Sequence, residues 1–78
     1  MSPLSEIAAL FKVPIFKEDG QLFILLWLEK VGPVSFVQEE GCVEIFVDIG
    51  NDLFRAKDIM EAVLPSGIDI VWPSESEL

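Results

Sequence analysis

Residues 21–32 read QLFILLWLEKVG, and seven consecutive side chains, Leu22 to Leu28, are apolar. A run without a polar face fits a buried helix as well as a two-faced strand, because neither period can be read from it. As a helix it would be capped by Asp19, carry Lys30 at its negative end and close at Gly32. The chain would then follow a ferredoxin-like β-α-β-β-α-β order with residues 20–31 helical. As a strand it would place Leu22, Ile24, Leu26 and Leu28 on one side and Phe23, Leu25 and Trp27 on the other.

Two features favour the strand. Asp19-Gly20 is a preferred pair for a tight type I′ hairpin turn, and it would join the run directly to the extended stretch KVPIF, residues 12–16. The run also has the length of a strand rather than that of a helix.

Outward from this segment the elements are easier to read. Ser2 and Pro3 form an N-cap followed by proline at the first helical position, where its missing N–H is harmless. Leu4, Ile7, Ala8 and Phe11 recur at helical spacing, which predicts a short helix over residues 3–11. After the run, Gly32 and Pro33 mark a break, VSFVQ (34–38) a strand, EEG (39–41) a turn and CVEIFVDI (42–49) a further strand. Residues 50–65, GNDLFRAKDIMEAVLP, read as a second helix capped by Asn51, with Asp52 at the positive end of the dipole. Leu53, Ala56, Met60, Val63 and Leu64 form its apolar stripe, and Pro65 and Gly67 end it. IDIVW (68–72) is a final strand with Ile68, Ile70 and Trp72 on one face, and residues 74–78 an acidic, disordered tail.

The expected class is therefore α+β. A short N-terminal helix precedes an antiparallel four-strand meander, a second helix packed on the sheet and a last strand. Residues 1–73 make one domain, since 78 residues have no room for two cores.

Composition narrows the function. A chain this short removes only about 60% of its unfolded surface on folding, yet 51% of its residues are hydrophobic. Apolar surface in excess of what a small body hides calls for a partner or a second copy. If residues 21–28 are a strand, one face packs on the helices and the other turns Phe23, Leu25 and Trp27 outwards. Phe46 and Ser35–Val37 extend that second face if the register allows. The net charge of −9, from 14 acidic and 5 basic residues, argues against direct binding to nucleic acid or to an anionic membrane.

Chemistry finds little purchase. The chain has no histidine and no tyrosine, and its single cysteine, Cys42, lies in the apolar context GCVEIFV, where a thiol packs as a small hydrophobe. No disulfide, Cys–His pair or zinc site can be built from one chain, and no phosphate-binding glycine motif or nucleophile elbow is present. Asp48, Asn51 and Asp52 could offer oxygens to Mg²⁺ or Ca²⁺, but they lack the alternating spacing of a calcium loop and read more simply as a strand end and a helix cap. Ser74 and Ser76 are acceptors for phosphate in principle, although a solvated end is the simpler explanation. No cofactor and no catalysis are expected.

No leader or membrane span is legible, so a cytoplasmic protein is the expectation. The leading functional expectation is a non-catalytic interaction module that self-associates or joins a larger assembly through Phe23, Leu25, Trp27 and Phe46. The alternative is an acidic inhibitor, immunity or nucleic-acid-mimic protein that meets a basic partner through Glu39, Glu40, Glu44, Asp48 and Asp52.

Overall fold

The computed structural model describes residues 2–29, 31–49 and 53–73. Helix α1 spans Pro3–Phe11, strands β1 to β4 span Phe16–Glu18, Gln21–Leu28, Gly32–Glu39 and Ile45–Ile49, helix α2 spans Leu53–Val63, and β5 is Ile70–Val71. The five strands form one sheet in the order β1-β2-β3-β4-β5. The first four pair antiparallel and β5 runs parallel to β4. A parallel neighbour needs a long crossover, and α2 supplies it. The class is α+β, as the order of elements in the sequence suggests.

The opening run is strand β2, and the ferredoxin-like alternative with residues 20–31 helical does not form. The hairpin turn decides it. Asp19 and Gly20 both sit at positive φ, 51° and 79°, between the paired residues Glu18 and Gln21. That is the two-residue connection whose twist suits adjoining strands, and it locks the following residues into pairing with β1.

Several boundaries differ from expectation, and the last strand, β5, covers only Ile70–Val71 instead of 68–72. β1 begins at Phe16 rather than Lys12, because Lys12 closes α1 in the left-handed conformation and the following residues lead the chain out of the helix. Gly32 and Pro33 lie inside β3, and the break falls between Leu28 and Gly32. Pro33 is tolerated there because pairing with β4 starts only at Val34, which leaves the proline with a strand on one side. β4 starts at Ile45 instead of Cys42, since Cys42 still belongs to the turn and donates its N–H to the Glu39 carbonyl at 3.0 Å.

Both helices cover one face of the sheet. Leu4, Ile7 and Ala8 of α1 and Leu53, Ala56 and Met60 of α2 meet Ile24, Leu26, Val34, Phe36, Ile45, Val47 and Ile49 in a single core. Val63, expected on the buried stripe, is exposed. It lies at the edge of the arc defined by Leu53, Ala56 and Met60, in the last turn of the helix. The helix cap expected at Asn51 and Asp52, and the tail at 74–78, lie outside the described residues.

Among the described residues, one polar side chain enters this core. Gln38 on β3 is buried, its Oε1 accepts the Leu4 N–H at 3.4 Å, and its Nε2 donates to the Cys42 carbonyl. Leu4 is in the first turn of α1, whose amides have no partner within the helix. The Ser2 hydroxyl accepts from Ser5 N–H at 3.2 Å, and Gln38 satisfies a second such group from across the fold. Gln38→Leu keeps the volume but orphans the Leu4 donor and the Cys42 acceptor, so a loss of about 1–3 kcal/mol is expected in urea denaturation. A loss below about 0.5 kcal/mol would show that the bridge is dispensable.

Candidate functional site

Alternation along the strands sends every second side chain to the face that no helix covers. On β2 these are Phe23, Leu25 and Trp27, and on β4 they are Phe46 and Asp48. The cross-strand pairs place them in rows. Phe16 pairs with Phe23, Phe23 with Val37, Val37 with Phe46 and Phe46 with Val71. One apolar row therefore crosses all five strands. Beside it run Leu25, Ser35 and Asp48, then Trp27 with Pro33. The Phe16 and Phe23 rings stack with centroids 5.4 Å apart and planes 25° from parallel.

The exposure of this face is large for its chemistry. Trp27 is 77% exposed, Leu25 57% and Phe46 38%. An open depression of about 500 Å³ lies at the Trp27 end, against Leu25, Pro33, Ser35 and Asp48. The opposite border of the face is polar. There Glu18 pairs with Gln21 and Gln21 with Glu39, and the Gln21 amide donates to the Glu39 carboxylate at 3.3 Å.

All four residues expected to form an interface, Phe23, Leu25, Trp27 and Phe46, share this face. Of Ser35–Val37, Ser35 and Val37 join them, while Phe36 turns inward and is fully buried. Phe16, Pro33 and Val71 also belong to the face. Phe16 was within reach of sequence reasoning: a two-residue turn at Asp19-Gly20 pairs Glu18 with Gln21 and hence Phe16 with Phe23. Val71 was not, because the position of β5 beside β4 is a tertiary matter.

The acidic candidates are dispersed. Glu40 pairs with Lys17 at 3.1 Å and Glu39 with Gln21, both near the first hairpin. Glu44 and Asp48 lie four residues apart, about 13 Å along an extended chain, and Asp52 lies outside the described residues. Among the described residues no three carboxylate or thiol groups come together in a way that would hold a metal ion. Cys42 is half-exposed in the connection before β4 rather than part of the core, and its thiol lies 3.9 Å from the Glu44 carbonyl. A second depression, about 310 Å³, sits below the end of α2 against Leu64, Pro65, Ile68, Ile70 and Trp72. Among the described residues no helix is long and apolar enough to cross a membrane. No family model, curated protein sequence or solved structure matches this chain.

Proposed function

We propose that the protein is a non-catalytic protein–protein interaction module whose contact surface is the uncovered sheet face. The observation that carries this reading is the unbroken row Phe16–Phe23–Val37–Phe46–Val71, flanked by Leu25 and Trp27. Single exposed apolar side chains are ordinary on any protein, but a contiguous apolar face spanning a whole sheet is costly to leave in water. Aromatic side chains are also those that most often dominate the energy of a protein interface.

Binding through carbon surface is nearly independent of salt, whereas binding through acidic residues weakens as ions screen it. Light scattering behind size exclusion should therefore show an assembly heavier than the 8.7 kDa chain at both low and high salt. Trp27→Glu, at an exposed position, should leave the fold intact and reduce that mass. An assembly of unchanged mass in the variant would refute the proposed surface.

A further inference from the structure

We infer that two copies of the chain join edge to edge, β2 pairing antiparallel with β2 about a two-fold axis that stands perpendicular to the sheet at Leu26. The contact is made by backbone at the rim of the sheet and leaves the open face uncovered.

β1 shields only part of its neighbour. It pairs with Gln21, Leu22 and Phe23, which leaves Ile24–Leu28 with β3 on one side and, among the described residues, no strand on the other. The cause lies at Pro14. Continuing the register from Phe16 and Phe23 would set Pro14 opposite Leu25, and proline has no N–H to give. The chain comes instead from α1, where the Val13 N–H donates to the Ala8 carbonyl at 3.0 Å. The first hairpin fixes which groups of β2 face the gap. The Gly20 carbonyl accepts the Glu40 N–H at 3.2 Å, on the β3 side. Alternation then directs Leu22, Ile24, Leu26 and Leu28 to β3 and turns the N–H and C=O of Leu25 and Trp27 to the free edge.

Only an extended backbone completes such groups, and the dimensions of the gap suit a copy. ILLWL (24–28) carries no charge, proline or glycine, the devices that blunt an edge against its own kind. A two-fold at Leu26 sets Leu25 against Trp27 of the copy, and Trp27 against its Leu25. Each of these pairs exchanges both its bonds, so no outward group of either copy is left over. Ile24 meets Leu28 of the copy, and the contact ends where β1 begins and where the chain turns into β3. This axis also keeps the two open faces on the same side of one continuous sheet. From a strand spacing of about 4.8 Å and a rise of about 3.3 Å per residue, one face projects about 400–500 Å². That is about half of the roughly 800 Å² that a partner gives to a stable interface, and two faces side by side supply it. The argument from area rests on the reading of the face as a contact surface, whereas the argument from the edge does not.

The test uses Val37→Glu, which charges the middle of the open face and leaves the edge untouched, with circular dichroism to verify the fold of every variant. Light scattering over a range of concentrations should show it as a dimer at low and high salt, because the edge contact is uncharged. Adding Leu25→Pro, which deletes an N–H that has no partner in the monomer, should weaken the dimer at least tenfold more than adding Leu25→Ala. Amide exchange needs no substitution at the edge. In wild type the Leu25 and Trp27 amides should exchange at least tenfold more slowly in the dimer than after dilution to the monomer, while the Leu26 amide, bonded to β3, is slow in both. Unprotected Leu25 and Trp27 amides in an assembly that Val37→Glu dissolves would assign the assembly to the face and overturn the edge contact. Equal weakening by proline and alanine, or a wild-type monomer at all concentrations, would overturn it as well, and would spare the face as a surface for another chain.

Discussion

Ile24→Asp is expected to abolish folding, while Leu25→Asp, one residue further along the same apolar run, leaves the chain folded. Ile24 is fully buried between the sheet and the helices, and Leu25 points to the open face. The first substitution removes a core side chain, which alone costs about 2–5 kcal/mol, and places a carboxylate where no partner awaits it. A small domain has a total stability near the low end of about 5–15 kcal/mol, so the loss exceeds the margin. The second substitution exchanges an exposed leucine for a hydrated carboxylate and should change monomer stability by under about 1 kcal/mol. Its effect belongs to association, which it should weaken. Far-UV circular dichroism and urea titration separate the two. A cooperative, wild-type transition in Ile24→Asp would mean that the two faces of β2 are exchanged.

Phe36→Ala should cost about 3–5 kcal/mol, the range for removing a buried aromatic ring. Phe36 is the largest of the fully buried side chains and pairs with Ile24 on one side and Val47 on the other, at the middle of the sheet. Its strand partners and the rest of the shared core surround it, so the cavity cannot easily collapse. With a urea dependence of about 1–3 kcal/mol per molar, the midpoint should fall by at least 1 M, or the cooperative transition should vanish. Val37→Ala, on the adjacent residue but on the open face, should shift the monomer by less than about 1 kcal/mol. Similar losses at both positions would contradict the division of β3 into a packed and an open side.

The local elements were legible because their causes are local. Ser2, Pro3 and the stripe Leu4, Ile7, Ala8 and Phe11 specify α1 to the residue, since capping and helical period act within a few positions. Asp19-Gly20 specified a tight turn by backbone sterics alone. Once β2 is a strand, alternation assigns Leu22, Ile24, Leu26 and Leu28 to one side and Phe23, Leu25 and Trp27 to the other. Composition made an uncovered apolar surface predictable, because a small body cannot hide so much carbon.

What the chain order could not supply are relations between distant segments. Gln38 reads as an ordinary polar strand residue until α1 brings the Leu4 amide, 34 positions away, against it. Whether Gly32 and Pro33 end a strand or lie within one depends on where β4 begins to pair. Val71 completes the apolar row only because α2 returns the chain parallel to β4. Period and capping are properties of one segment and can be read from it. Register and strand order follow from the joint packing of several segments on one core, so the surface itself, five strands wide, exists only in the folded molecule.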